Sequence, residues 1–363
     1  VGPVLGGWLT ENVSWQWCFF LNLPVSVALV ALLLLGLPHQ PADPAQFVRA
    51  DWLGIAGLAT FLSTLTVVLE EGQRDRWFES GLIRSLSLAC VLGFVVLMIA
   101  QATAPRPVIK LRLLLNASYA SVIVIVTAVG SGLYGILYVL PQFLSGVSGY
   151  NAAASGRVLF LSGIPAFLLM PVLPRILARV PARLLVAAGL LCFAASCFLD
   201  IHLSPQDDGS AFLWSQLLRG FGQILSLMPL NQASVGSVSR EDAPDAAGLY
   251  NMARNLGGSL GLAALGIFID RRSELHVDAI RETLDANSPA VQRHLSDLVA
   301  SLGGNGADPD FARMRALAHL AAQTRTQALV MTYSDCFALL GVLLLLSIPL
   351  VLLLPRRRPA GGR

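Results

Sequence analysis

The sequence predicts an all-α polytopic membrane protein. Apolar residues make up 55% of the 363 residues and charged residues only 13%, far from the balance of a soluble globular domain. The apolar residues come in blocks of about 20, which is the length that a helix needs to cross a bilayer. A net charge of +3 without a basic stripe interleaved with aromatic residues argues against nucleic-acid binding.

Hydrophobic blocks predict nine complete spans and the end of an earlier helix, Val1–Leu9. The predicted spans are Cys18–Leu37, Leu53–Glu70, Leu82–Ala100, Ala120–Phe143, Ala153–Leu173, Leu184–Leu199, Phe212–Val235, Leu249–Ile269 and Phe337–Leu354. Three prolines, Pro165, Pro171 and Pro174, predict a kinked helix in and after the fifth of these spans. Because the chain starts inside a helix end without Met or a signal peptide, we expect it to be a fragment that lacks an N-terminal part.

The distribution of arginine and lysine predicts the orientation in the membrane. Basic residues concentrate in alternate short loops, which are therefore predicted to be cytoplasmic. They are Arg49, Arg106, Lys110, Arg112, Arg175, Arg179, Arg183, Arg240, Arg356, Arg357, Arg358 and Arg363. Residues 38–50 and 102–118 are then cytoplasmic connections, and residues 355–363 form a basic cytoplasmic tail.

One connection on the predicted outer side, residues 271–331, is much longer than the others. It contains two helix starts, Ser288-Pro289 and Asp308-Pro309, each an N-cap residue followed by Pro at the first helical position. The glycine-rich run Gly303–Gly306 separates them. We expect a helical outer insertion whose last helix runs from Pro309 into the final span.

Polar residues form stripes on three of the predicted spans. They are Tyr134, Tyr138 and Gln142; Gln216, Arg219 and Gln223; and Asn251, Arg254 and Asn255. Their spacing places each set on one helix face. Arginine at bilayer depth costs about 2.5–3.5 kcal/mol, so it usually faces a cavity or a partner. We predict a wet interior whose substrate cavity is lined by Tyr134, Tyr138, Gln142, Arg219, Gln223, Asn251, Arg254 and Asn255. Hydrogen bonding between helices is the alternative, as is snorkelling of the arginines toward a membrane face.

Other residue types point away from catalysis. The five histidines lie in loops or in the outer insertion without metal-ligand spacing, and the five cysteines include no CxxC pair. We therefore expect no metal, no cofactor and no enzymatic activity. The acidic residues lie near span ends, among them Glu70, Asp200, Asp270 and Asp335, so we expect no deep carboxylate to carry protons.

Several segments resemble a known family in the correct order along the chain. They are GPVLGGWL with Gly2, Pro3, Gly6 and Gly7, SWQWCFFLNLP, LPQFL at Leu140–Leu144, RILARVPARLL at Arg175–Leu185, LLRGFGQILSLMPLNQ at Leu217–Gln232 and ARNLGGSLG at Ala253–Gly261. The first resembles the antiporter signature of the major facilitator superfamily. The closer similarity is to the 14-span drug:proton antiporter branch, of the EmrB/QacA type.

The resemblance implies a partial major facilitator fold, from the end of span five through span 14. Residues 1–37 would be the remnant of an N-terminal bundle, and residues 51–101 a central two-helix hairpin. Residues 119–354 would form a complete C-terminal six-helix bundle that carries the outer insertion at 271–331. The first four spans, which hold the residues linked to proton coupling in this family, would be absent.

The implied function is that of a full-length parent in the inner membrane of a bacterium. It would export drugs or other amphipathic small molecules in exchange for protons, by alternating access. Arg254 would favour anionic or neutral substrates, or hold a carboxylate of the N-terminal bundle. A periplasmic adaptor protein and an outer-membrane channel are the candidate partners of the outer insertion; a solvated cap without a partner is the alternative. A metabolite or siderophore exporter and a non-transporting membrane scaffold are the competing functions.

Overall fold

The computed structural model describes residues 2–36, 50–105, 107–202, 204, 206–283, 289–302 and 309–354. Over these residues the chain forms helices and turns and contains no strand. The predicted tail at 355–363, the run Gly303–Gly306 and all but the last residue of the predicted linker at 38–50 lie outside the described residues.

The helices follow the predicted spans closely. They are Gly2–Asn12 (α1), Trp17–Phe20 (α2), Asn22–Gly36 (α3), Trp52–Glu71 (α4), Gly81–Thr103 (α5), Ala117–Gly146 (α6), Ala152–Phe160 (α7), Gly163–Leu169 (α8), Leu173–Arg179 (α9), Ala182–Leu199 (α10), Leu213–Gly236 (α11), Ala243–Thr283 (α12), Pro289–Leu302 (α13) and Pro309–Leu346 (α14). Short 3₁₀ turns cover Trp77–Glu79, Leu111–Leu115 and Pro349–Leu353.

Eight helices in the described part of the chain are long and apolar enough to cross a membrane, which makes this an all-α polytopic membrane protein. Helix α11 is not one of the eight, although it was predicted as a span and has 24 residues. Its polar stripe lowers its hydropathy. The helix forms nevertheless, because Gln216 and Arg219 are buried against other helices instead of facing hydrocarbon.

The predicted kinked span is broken into three short helices. Helix α7 ends at Phe160, α8 runs from Gly163 to Leu169, and α9 begins at Leu173. Proline has no backbone N–H and its ring clashes with the preceding turn. Pro171 lies in the second break, whereas Pro165 and Pro174 lie in the first turns of α8 and α9, so each ends the preceding helix just before it. The prediction of a kinked helix is confirmed.

Two helices are much longer than a membrane span. Helix α12 has 41 residues and α14 has 38, which corresponds to about 60 Å for each at 1.5 Å per residue. Helix α14 starts at Pro309 and continues without a break into the last apolar stretch, as predicted. Helix α13 packs against α14 and completes a helical insertion.

Helices α6, α7, α10, α11, α12 and α14 share one buried core, and α6 to α14 together are called the C-terminal bundle below. Val129 of α6, Phe193 of α10, Leu265 of α12 and Phe337 of α14 all belong to this core. The end that contains Lys110 and Asp242 is called the inner end, following the predicted orientation, and the opposite end the outer end.

The hairpin formed by α4 and α5 lies along α12. Its two helices approach closely at Gly57, where an added Cβ would clash with the backbone of Leu97. At the outer end, Ser259 of α12 donates a hydrogen bond to Glu70 of α4 at 2.8 Å, and Gln73 donates to Asp270. The hairpin therefore contacts the C-terminal bundle through polar bonds.

Candidate substrate pathway

Helices α6 and α12 approach each other at small residues. A Cβ on Gly257 would lie 2.3 Å from the carbonyl oxygen of Thr127, and a Cβ on Gly130 would lie 2.2 Å from that of Arg254. The hydroxyl of Ser131 donates a hydrogen bond of 2.6 Å to the carbonyl of Gly257. This close contact fixes the rotation of both helices, and therefore the direction in which their polar stripes face.

The polar stripes of α6 and α12 meet beside this contact. The ring of Tyr134 packs on Gly258, and its hydroxyl lies 3.4 Å from Oδ1 of Asn255. Tyr138, one turn further along α6, is 40% exposed, and Asn251 and Asn255 are exposed. Tyr134, Asn255 and Gly258 thus form one contact between the two stripes.

Arg254 lies about 16 Å along α12 from its first residue, Ala243. Its side chain is half-buried, and its Nε atom is buried without a hydrogen-bond partner among the residues described. One turn toward the inner end, Tyr250 donates to the carbonyl of Leu227 on α11 at 2.8 Å. Because α11 and α12 are antiparallel, half-buried Gln223 lies at the level of Arg254.

Gln142 faces a different neighbour. Its Oε1 atom accepts a hydrogen bond of 3.3 Å from the hydroxyl of Tyr333 on α14. Tyr333 was missed because it precedes the apolar block that predicted the last span. The structure shows that α14 is already helical there, which places this tyrosine beside the stripe of α6.

Arg219 does not line a cavity in this structure, which corrects the sequence-based expectation. Its side chain is 2% exposed, and its Nη2 atom lies 2.6 Å from Oδ2 of Asp200 at the end of α10, itself 3% exposed. The guanidinium also lies 5.9 Å from the ring centroid of Phe337. A helix-spacing pattern identifies the shared face of a stripe but not whether that face looks into a cavity or into a neighbouring helix.

Asp200 is a buried carboxylate, although the acidic residues near span ends were expected to include no deep one. It does follow the last residue of α10, but its side chain is buried against Arg219 of α11. The sequence contained one indication of this pair. An aspartate ends one apolar block, and the next predicted helix has an arginine in its middle. The pairing itself depends on the rotation of both helices.

The predicted antiporter signature contacts the C-terminal bundle at the outer end. A Cβ on Gly7 of α1 would lie 2.5 Å from the carbonyl oxygen of Ala152, whereas Gly2 and Gly6 have open space around them in the described part of the chain. Pro3 lies within the first turn of α1. Of these three glycines, Gly7 makes the close contact.

Glu11, one turn beyond Gly7, holds the start of α7. Its carboxylate accepts a hydrogen bond of 3.1 Å from Nδ2 of Asn151 and one of 3.0 Å from the backbone N–H of Ala153. Both groups lie at the N-terminus of α7, where a negative charge is favourable. Helix α1 and the C-terminal bundle are thus joined at the outer end.

A group of ions joins the segments at the inner end. Nζ of Lys110 lies 2.6 Å from Oδ1 of Asp242 and 2.9 Å from Oδ2 of Asp245. Hydrogen bonds to these two carboxylates raise the pKa of Lys110 above its usual value of 10.5. The bond from Lys110, followed by that from Ser239, lowers the pKa of Asp242 below its usual value of 3.8. The connection after α5 is therefore fixed to the start of α12.

Comparison with known proteins identifies the class. The family described as the Major Facilitator Superfamily matches residues 1–262. The chain belongs to this superfamily, and it is a membrane transporter rather than an enzyme. In the described residues, no group of three His, Cys, Asp or Glu side chains is placed to hold a metal ion.

Similar proteins come from several bacteria. The chain is 27% identical over 356 residues to the colistin resistance protein EmrB of Acinetobacter baumannii, covering 98% of this chain and 69% of that protein. It is 26% identical over 362 residues to the multidrug export protein EmrB of Escherichia coli K12, covering 99% and 69%. The fatty acid resistance protein FarB of Neisseria gonorrhoeae is 26% identical over 300 residues, covering 82% and 59%. These relatives support a location in the bacterial inner membrane.

Proposed function

We propose that this transporter exports amphipathic small molecules, including drugs, in exchange for protons and by alternating access. The observation that carries the proposal is the polar face shared by α6 and α12. It brings the phenol of Tyr134 to 3.4 Å from the amide oxygen of Asn255, the residue after the half-buried Arg254, with exposed Tyr138 further along α6 and exposed Asn251 one turn earlier on α12. Gln142 and Gln223 extend this face toward α14 and α11; Arg219 is left out.

The chemistry of this face suits amphiphiles. Aromatic rings offer large apolar contact areas at low entropic cost, and amide groups offer adaptable hydrogen bonds. Arg254 adds a cation near the middle of the bilayer, whose charge favours an anionic or neutral substrate over a cation. The names of two relatives, for multidrug export and for fatty acid resistance, agree with an amphipathic and partly anionic substrate range.

A resistance assay tests this function. The full-length gene is expressed in a susceptible strain without its own exporters, with ethidium, chloramphenicol and deoxycholate as cationic, neutral and anionic probes. We expect resistance to at least deoxycholate, its loss in Arg254→Ala, and partial retention in Arg254→Lys. Arg84→Ala, which removes an exposed arginine from α5, is the matched control. Unchanged resistance in both Arg254 variants would remove this residue from the mechanism.

A specific metabolite or siderophore exporter is the second candidate. A single cation with fixed amide neighbours also suits one compound that bears a carboxylate. Such an exporter would give no resistance to any of the three probes, and the full-length protein would instead change the composition of the growth medium. Comparing secreted compounds between deletion and complemented strains separates the two candidates.

The outer helices are the proposed docking surface for a periplasmic adaptor that leads to an outer-membrane channel. Helices α12 and α14 enclose a cleft of about 680 Å³ beyond the predicted membrane, lined in part by Glu274, Asp278, Arg281, Leu317 and Thr324. Crosslinks from Leu295 of α13 to an adaptor would support docking. Intact export after deletion of residues 288–302 would argue for a cap without a partner.

A further inference from the structure

The contact between Asp200 and Arg219 satisfies only part of the guanidinium group. Nη2 of Arg219 bonds to Oδ2 of Asp200, while its Nε and Nη1 atoms are buried with no partner in the part of the chain that the structure describes. Gln216, which is 0% exposed, has neither its Oε1 nor its Nε2 atom paired within the same residues. Four buried polar atoms on one face of α11 therefore lack a hydrogen-bond partner among the described residues.

Buried polar groups in proteins are almost always bonded to protein or to ordered water. The four atoms belong to side chains three residues apart on α11, so a small number of water molecules can serve them together. The same region holds a carboxyl group that would need an acceptor for its O–H if it took up a proton. Gln216 Oε1, one turn before Arg219 on the same face of α11, is a buried acceptor with no partner among the residues that the structure describes.

We propose that Asp200, Arg219 and Gln216 form a hydrated proton-binding site in the C-terminal bundle. Asp200 takes up one proton from the outer aqueous phase through water held by Arg219 and Gln216, and its carboxylate becomes a carboxylic acid. The pair with Arg219 then loses its charge attraction. The site deepens the proposed function, since it places a proton carrier in a protein that we propose to be a proton-coupled exporter.

The surroundings favour a change of charge at this point. Burial favours the neutral form of Asp200, while the guanidinium favours its ionised form, so two opposed effects act on one carboxyl. Cys197, one turn before Asp200 on α10, is a buried titratable neighbour on the same helix. From α14, Phe337 covers the guanidinium, whereas Asp335 pairs with Arg272 and His276 of α12 instead.

Arg219 is adjacent in sequence to a residue that contacts the break between α7 and α8. Gly220, the next residue, packs so closely that its Cβ would lie 2.1 Å from the carbonyl oxygen of Ser162, in the break between α7 and α8. The start of α7 is the segment that Glu11 holds. Proton uptake at Asp200 therefore acts on the helix that joins α1 to the bundle at the outer end.

Infrared difference spectroscopy of the full-length protein in lipid bilayers tests the site without any substrate. A pH titration should show the C=O band of a carboxylic acid that is lost in Asp200→Asn. The band should persist in Asp335→Asn, the matched control, which removes another arginine-paired carboxylate from the same bundle. A band that survives in Asp200→Asn, or no titrating band in the wild type, would overturn the proposal. Should Asp200→Asn fail to fold, Asp200→Glu replaces it, with a shifted titration midpoint expected.

Transport in proteoliposomes gives a second readout, with ethidium and deoxycholate as probes. Asp200→Asn should retain exchange of probe for probe and lose accumulation driven by a pH gradient. Retention of both reactions would overturn the site, and loss of both would assign the pair a structural role and overturn it as well. If the wild type moves neither probe, the proposed function fails, and the infrared result still decides the proton site.

Discussion

The hydroxyl of Tyr134 on α6 lies 3.4 Å from the amide oxygen of Asn255 on α12. This relationship joins two polar stripes that are more than 100 residues apart in the chain, at a contact made of glycine and serine. The small residues allow the helices to approach, and their approach sets which side chains share a face.

An added methyl group should destabilise the protein at Gly257, where the helices pack closely, and should not at Gly248. A methyl group on Gly257 would press against the carbonyl of Thr127, and overpacking of this kind costs about 1–3 kcal/mol. Gly248 lies in the same helix with open space around it in the described chain, so Gly248→Ala should be neutral or stabilise by up to about 1 kcal/mol. Equilibrium unfolding in mixed micelles measures both; equal effects would contradict the packing.

The ion group at the inner end should make stability depend on pH in a defined way. Because the pKa of Asp242 is lowered in the folded protein, its ionised carboxylate stabilises the fold above pH 3.8, the usual pKa of this group. This stabilisation is lost as the pH falls through the pKa of the folded state. Because the pKa of Lys110 is raised in the folded protein, its charged ammonium group stabilises the fold below pH 10.5, the usual pKa of this group. This stabilisation is lost as the pH rises through the pKa of the folded state. Wild type should therefore exceed Asp242→Asn in stability at neutral pH, and the difference should disappear at both extremes.

The matched control for this titration is Glu241→Gln, which removes the neighbouring carboxylate. Glu241 is exposed, and its substitution should leave the pH dependence unchanged. Thermal unfolding of the three proteins over the pH range is the measurement. A Glu241→Gln protein that behaves like Asp242→Asn would show that net charge, rather than the contact with Lys110, governs the effect.

Removing the carboxylate of Glu11 should open the outer end. Glu11→Ala takes both hydrogen bonds away from the start of α7, so α1 and the bundle should separate more often. Spin labels at Ser14 and Ser148 report the distance by electron paramagnetic resonance, and we expect a larger fraction of long distances. Glu71→Ala, which removes an exposed carboxylate from α4, is the control. An unchanged distribution in Glu11→Ala would mean that this contact does not hold the outer end.

The helices themselves were largely predictable because apolar blocks and prolines act locally. Pro165, Pro171 and Pro174 fixed the interruptions around α8, and Pro309 fixed the start of α14. The predicted span covered only the apolar part of α12, because hydropathy does not identify the polar outer part of this helix. Helical spacing continues there without an apolar run.

The site was predictable as a set of stripes but not as a set of contacts. Spacing placed Tyr134 and Tyr138 on one face, which the structure keeps. It could not tell that Arg219 faces Asp200, because that depends on how α10 and α11 are rotated against each other. Long-range partners such as Tyr333 and Glu11 carry no local pattern at all.

Water accessibility of the α6–α12 face is the most direct test of the account. Single cysteines at Tyr138 and Asn255, in a full-length protein without its native cysteines, are treated with a membrane-impermeant thiol reagent. Leu191 and Leu346, exposed apolar residues of α10 and α14, are the controls. We expect labelling at Tyr138 and Asn255, slowed by deoxycholate, and none at the controls. Equal and low labelling at all four positions would contradict a hydrated substrate pathway.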